Sequence, residues 1–137
     1  MPAVERLHVE LSGAGLHEIT GRVDEIVSRA GCAEGLCTVF IAHTSARLLV
    51  QENADPQAAR DLEAWLCRLV PENDPLYTHT AEGPDDMPAH IKAALTATSI
   101  SIPILEGRLA LGTWQGIFVF EHRTGRSRRE IVVHVSS

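Results

Sequence analysis

At 137 residues, 45% hydrophobic and 22% charged, the chain can bury a core of its own and has no long polar tract of the disordered kind. Its net charge of −6 and pI of about 5.6 exclude the basic footprint that a nucleic-acid binder needs. No basic stretch leads into an apolar run at the N-terminus, and no apolar segment approaches the roughly 20 residues of a membrane span, so a cytoplasmic protein without a membrane partner is expected.

Leu7, Val9 and Leu11 alternate and predict a first strand, broken by Ser12-Gly-Ala-Gly15. Ile19, Val23, Ile26, Val27 and Ala30 recur at helical spacing, with Thr20 as a cap and Gly31 as the stop. Leu36 to Ala42 is apolar on both faces, which predicts a buried central strand. His43-Thr-Ser-Ala breaks it, and a strand resumes from Arg47 to Val50.

Asp55-Pro56 starts a second helix, with Asp at the N-cap and Pro at the first helical position. Its apolar face is Ala58, Leu62, Trp65, Leu66 and Leu69, and Pro71 ends it. A third helix opens at Asp85-Asp86-Met-Pro88 and runs to about Ala97, with Ile91, Ala94 and Leu95 inward. Ile100, Ile102 and Ile104 mark a strand, Glu106-Gly107 a turn, and Arg108 to Leu111 a short strand. Gly116 to Phe120 reads as a buried strand, joined through a Thr124-Gly125 hairpin to a last strand carrying Ile131, Val133 and Val135. Strands outnumber helices and the last third reads as a meander, so the fold class is α+β, in one domain over residues 1–137.

The three cysteines, Cys32, Cys37 and Cys67, have no CxxC spacing and fit thiols packed in a core in a reducing compartment. Arg126, Arg128 and Arg129 form a small basic cluster expected at a solvated hairpin tip. No GxxxxGK[ST], GxGxxG or GxSxG pattern is present.

The segment Tyr77 to His90 is rich in groups that ligate metals or move protons: His79, Glu82, Asp85, Asp86 and His90. Loops on a rigid scaffold are where such groups act. His79 and His90 converge if the chain folds back at Gly83-Pro84, and Asp86, four residues before His90, shares its helical face. Asp85 or Asp86 has a simpler reading as a helix cap. His43, at the end of the apolar strand, is either a core histidine or a site group, with Thr44 and Ser45 beside it. Three imidazoles with one open position make a catalytic zinc set, and His43, His79 and His90 are the histidines in site contexts. His8, His17, His122 and His134 read as ordinary surface residues. Asn53 and Glu52, with Asp55, lie between a strand end and a helix start. Thr113 and Gln115 flank Trp114 in a polar turn, and Glu121 and Arg123 share a strand face as an ion pair or an anion site.

Several motifs occur in one order: His43-Thr-Ser-Ala, Glu52-Asn-Ala-Asp-Pro56, Asp61-Leu, Tyr77-x-His79, Glu82-Gly-Pro-Asp-Asp-Met-Pro-Ala-His-Ile-Lys92, Ile102-Pro, Gly107-Arg-Leu, Leu111-Gly-Thr-Trp-Gln-Gly116 and Glu121-x-Arg123. Together they resemble the YjbQ-like family, whose members are labelled secondary thiamine-phosphate synthase. The resemblance spans nearly the whole chain. It implies a compact α+β fold of packed sheets, a homotrimer, and a polar site with a metal ion or anion near the subunit interface.

By matching position the resemblance places His43, Asn53, Asp55, His79, Glu82, Asp85, His90, Thr113, Gln115, Glu121 and Arg123 in that site. The labelled reaction joins a pyrimidine pyrophosphate to a thiazole phosphate. Such a reaction needs a metal and cations for the departing pyrophosphate, and Arg47, Lys92, Arg108 and Arg123 are the cations available. The chain departs from the family at Ala97-Thr98, where Gly is usual, and at Arg47, where a small or apolar residue is common.

The expectation is therefore an enzyme acting on a small, phosphorylated molecule. A divalent ion, zinc by ligand type, sits on His43, His79 and His90, and Glu82 or Asp85 serves as acid/base. Asn53, Asp55, Glu121 and Arg123 assist, and Thr113 and Gln115 contact the bound group. The alternatives are a non-catalytic small-molecule or anion-binding protein and a metal-dependent hydrolase.

Overall fold

In the computed structural model, which describes residues 3–137, the elements run β1 (Ala3–Leu11), β2 (Gly15–Glu18), α1 (Thr20–Ala30), β3 (Gly35–Ile41), β4 (Ala46–Glu52), α2 (Pro56–Leu69), α3 (Asp86–Leu95), β5 (Ser99–Leu105), β6 (Arg108–Leu109), β7 (Gln115–Glu121) and β8 (Ser127–Ser136). They form an antiparallel five-stranded sheet, β1-β8-β3-β5-β6, and an antiparallel three-stranded sheet, β2-β7-β4. The architecture is α+β, as the residues predict.

The main core lies between the sheets. Val39, Ile41, Ile131, Val133 and Val135 of the larger sheet meet Leu48, Ile117 and Val119 of the smaller one, and α1 adds Val23, Ile26 and Val27. On the far side of the smaller sheet a second cluster forms around Phe120, with Leu66 from α2, Val70 just after it and Ile91 from α3. Strand β7 is thus enclosed on both faces and is buried from Gly116 to Glu121.

Local signals explain most boundaries. Gly31 closes α1 in the left-handed region at φ 66°, where a Cβ is strained. Asp55 caps α2 by accepting the Gln57 N–H at 2.9 Å, with Pro56 following. Glu106 and Gly107 both take positive φ, 53° and 77°, giving the tight two-residue turn that pairs Leu105 with Arg108. Neither Ala97 nor Thr98 has a positive φ. An extended pairing of Leu48 with Ala97 needs no glycine there.

Several expectations are corrected. Strands β7 and β8 lie in different sheets, so Thr124-Gly125 is a crossover and not a hairpin, and the last third is not a meander. Strand β2 gives no alternation over its four residues and escaped the pattern. Strand β3 is buried on one face only, with Leu36 and Phe40 exposed on the other. Thr20 is not the cap of α1; its hydroxyl accepts the Ile117 N–H and donates to Glu18.

Helix α2 buries only Leu66 fully, and Trp65, Leu69 and Cys67 are exposed. Helix α3 buries Asp86, Pro88, Ala89 and Ala93 and exposes Leu95. The inward face of α3 starts with a charge, and hydrophobicity alone therefore misplaces its rotation.

Candidate functional site

Asp86 opens α3, and its side chain is 2% exposed. Burying a carboxylate is costly unless every acceptor is met. Arg123 Nη1 donates to Oδ1 at 2.6 Å. His79 Nε2 lies 2.7 Å from Oδ2, and His90 Nε2 lies 3.3 Å from the same oxygen. The two imidazoles meet edge to face with ring centroids 5.3 Å apart. One ligand atom from each of His79, Asp86 and His90 falls within 4.8 Å of the others.

Arg123 ties the loop to the crossover after β7. Its Nε donates to Asp85 Oδ2 at 3.0 Å and its Nη2 to the Glu82 carbonyl at 3.0 Å. The Thr124 N–H and hydroxyl also reach Asp85 Oδ2. Burial pushes the Asp85 carboxyl up, but the Thr124 N–H and the Arg123 guanidinium outweigh it and hold the group at about 2. Neither Asp85 nor Asp86 therefore caps α3 with its side chain, despite standing at the right positions.

Glu121 anchors the other half of this end. Its side chain is fully buried and accepts Arg129 Nε at 2.7 Å and Nη2 at 2.9 Å in a bidentate pair. The Arg123 N–H and the Ser127 hydroxyl complete it. Burial raises this carboxyl too, and the Arg129 guanidinium outweighs it, so its pKa stays below the usual range.

Arg129 is thus a buried member of the site and not part of a solvated hairpin tip; it is 9% exposed. Its third nitrogen, Nη1, lies 2.9 Å from His43 Nε2. His43 Nδ1 accepts the Ser45 N–H at 2.9 Å, and the Arg47 guanidinium donates to the carbonyls of His43 and Ala93. Burial first, then Arg129, lowers the His43 pKa, so the ring is neutral at pH 7. His122 lies buried behind this end, 3% exposed, its ring tilted 48° against that of Phe120 with centroids 4.6 Å apart. It is not the surface residue that the sequence suggests.

The expected site residues fall into two groups. His43, His79, Glu82, Asp85, His90, Glu121 and Arg123 gather where β4 begins and β7 ends, since Ala46 pairs with Glu121. Asn53, Asp55, Thr113 and Gln115 lie at the opposite end, where Glu52 pairs with Gln115. Strand β4 is seven residues long, which separates the groups by roughly 20 Å.

At that far end Asn53 Nδ2 donates to Glu18 at 2.9 Å, Asp55 caps α2, and Gln115 Oε1 accepts the Gly112 N–H at 2.8 Å. A cavity of about 360 Å³ adjoins Asn53, Asp55 and Glu63. A second, of about 290 Å³, opens beside His79, with Tyr77, Gly83 and Met87 on its walls. The sequence named Asp86 among the metal-ligating groups but left it out of the ligand set in favour of a helix cap, and it placed Arg129 at a solvated hairpin tip. The four-residue spacing of Asp86 to His90 was a usable signal for the first. Nothing local marks the second, because its partner Glu121 is brought to it by a change of sheet.

The family model described as UPF0047 protein YjbQ-like matches residues 5–137. A UPF0047 protein of Synechocystis is 52% identical over 132 residues, covering 96% of this chain and 90% of that one. The UPF0047 protein YjbQ of Salmonella typhimurium is 42% identical over 119 residues, covering 86% of each. Among solved structures, a YjbQ/UPF0047 family protein of Clostridium acetobutylicum superposes with a TM-score of 0.88 at 35% identity, covering 96% of this chain and 99% of that one. A protein of Thermus thermophilus superposes at 0.86 and 36% identity, with the same two coverages.

Proposed function

The chain belongs to the UPF0047 YjbQ-like family, and from the geometry of its site we propose that it is a metal-dependent enzyme acting on a small molecule. The observation that carries this reading is the convergence of His79, Asp86 and His90 within 4.8 Å. Two imidazoles and one carboxylate suit zinc, whose bonds of about 2.0–2.2 Å place neighbouring ligand atoms a little over 3 Å apart. The observed separations of 2.7 and 3.3 Å about Asp86 need only small shifts, with each imidazole presenting a bare Nε2 to the ion and carrying its proton on Nδ1. Asp86 takes the third ligand position that sequence reasoning gave to His43, and His43 is held elsewhere by Ser45 and Arg129.

Zinc there would supply positive charge and Lewis acidity to a substrate oxygen. The chain's own residues do the rest. Arg123 fixes Asp86 through Oδ1 and leaves Oδ2 toward the imidazoles. His79 is half exposed, which leaves an approach for substrate from the adjoining cavity. Asp85 is an anchor, ionised throughout the ordinary range, so Glu82 is the carboxyl suited to moving a proton.

The finer reading, a thiamine-phosphate synthase-type transferase, rests on the resemblance. It asks for free cations around a departing pyrophosphate. Of the four cations named for that role, Arg123 is instead held on carboxylates and Arg47 on carbonyls, which leaves Lys92 and Arg108. That favours a metal-dependent hydrolase, or a non-catalytic binder, as the second reading. Metal analysis of untagged protein tests the first: about one zinc per chain, lost in the His79→Ala/His90→Ala double variant. Full occupancy in that variant would sink it.

A further inference from the structure

The cavity of about 290 Å³ beside His79 is lined differently from the rest of this end of the sheets. Around Asp86 and Glu121, arginines meet carboxylates. In the cavity no lysine or arginine reaches the wall, and Asp74 is the one carboxylate. The walls also carry Asn73, Tyr77, Thr80 and Met87. His79 belongs both to this cavity and to the His79–Asp86–His90 group.

Short-range bonds set one wall before any ligand arrives. Asn73 takes φ 61°, in the left-handed region that asparagine tolerates better than most residues. The Leu76 N–H donates to Asp74 Oδ1 at 2.9 Å, and the Tyr77 N–H to the Asp74 carbonyl at 3.1 Å. The Tyr77 hydroxyl donates to the Pro71 carbonyl at 2.9 Å, so its one proton is committed and the ring is what it offers to a ligand. A wall held in this way loses little freedom on binding. Among the described residues no ion pair neutralises Asp74. An anion entering here meets a carboxylate with no countercharge beside it, on a chain of net charge −6. A flat, uncharged group meets the opposite conditions. Tyr77 and Met87 give it aromatic and thioether contact, and the Asn73 amide and Thr80 hydroxyl both donate and accept hydrogen bonds. The volume is close to the lower end of small-molecule pockets, about 300 Å³, and suits a single ring with one polar substituent.

We infer that this cavity selects a planar, uncharged group of the carboxamide class, carried on a compact ring, and that Asp74 is the residue that turns anions away. The inference rests on the reading of the adjoining His79–Asp86–His90 group as the site. It narrows the small molecule of that reading to one whose part seated against Tyr77 is neutral. The phosphorylated molecule that the resemblance implies finds no cation on these walls.

Tyr77 is the chain's single tyrosine, so carbon-13 labelling of tyrosine rings gives NMR signals from this wall alone. Metal-free, full-length protein keeps the attraction of an anion for zinc out of the comparison. Titration at neutral pH with benzamide is expected to shift the Tyr77 signals, while benzoate and phenyl phosphate bind about tenfold or more weaker. Asp74→Asn keeps the oxygen that accepts the Leu76 N–H and is expected to bring benzoate to within about threefold of benzamide. Met87→Trp fills the cavity and is expected to abolish the benzamide shifts. Four results would each overturn the inference: benzamide that leaves Tyr77 unmoved, an anion that binds as tightly as benzamide, a preference unchanged in Asp74→Asn, and benzamide shifts that survive Met87→Trp. Full zinc binding with an unmoved Tyr77 is a failure of this inference alone. Benzamide binding as described in a protein that takes up no zinc is a failure of the metal reading alone.

Discussion

Arg123 Nη1 stands 2.6 Å from Asp86 Oδ1, while the other oxygen of Asp86 faces both His79 and His90. One guanidinium thus sets the carboxylate on which the proposed metal site turns, and also holds Asp85 and the Glu82 carbonyl. A lysine retains the charge but cannot reach three acceptors in one plane. Arg123→Lys is expected to weaken zinc 10–100-fold, the usual effect of losing a partner behind a metal ligand. Competition with a chelating dye measures it; unchanged affinity would show that Asp86 needs no such support.

The Glu121–Arg129 pair has no solvent to fall back on, with side-chain exposures of 0% and 10%. Removing the carboxylate charge leaves a buried guanidinium without its partner, a change that costs about 3–5 kcal/mol. Glu121→Gln is expected to lower the melting temperature by roughly 10 °C. A shift within a degree or two of wild type would mean that Arg129 finds water or another acceptor.

The acid side of the stability profile is set by buried His122 and by partly buried Asp85. Burial pushes His122 down from 6.5 to about 4, with Lys92 and Arg47 adding to the effect and Glu121 opposing it. The unfolded chain therefore binds the extra proton first as pH falls. The stability associated with neutral His122 is complete above pH 6.5 and is lost between 6.5 and about 4, amounting to about 3 kcal/mol. Asp85 behaves likewise but lower, its contribution lost from about pH 3.8 toward 2. Urea unfolding across pH 4–7 is expected to show a loss that His122→Asn largely removes. An equal slope in the variant would place the titrating group elsewhere.

Elements whose signal is local were legible. Asp55-Pro56, the Gly31 stop, the Glu106-Gly107 turn and the alternating β5 and β8 each depend on neighbours in sequence. The sheet assignment of β7 and β8 was not, because nothing in Arg123 to Arg126 distinguishes a hairpin from a crossing between sheets. That one difference hid Arg129, which meets Glu121 only because the chain changes sheet between them. His79 and His90 were legible as a pair. The Asp86 side chain looked like a cap, although packing turns it inward to Arg123.

Exposed apolar groups bear on assembly. Leu36 and Phe40 stand on the outward face of β3, and Phe40 pairs across the sheet with Val132 on β8. Trp114 is 64% exposed at the end of the smaller sheet that carries Thr113 and Gln115. The resemblance implies a homotrimer, and a contact between copies would take such groups out of water, at about 1.5–3 kcal/mol for each large side chain fully buried. It would also give the residues around Asn53, about 20 Å from His79 within one chain, a route to a neighbouring chain's site. Light scattering is expected to give three times the 14.9 kDa chain mass, falling in Phe40→Lys if the β3 face is the contact. A stable monomer of the wild type at micromolar concentration would count against assembly, and a trimeric Phe40→Lys would move the contact toward Trp114.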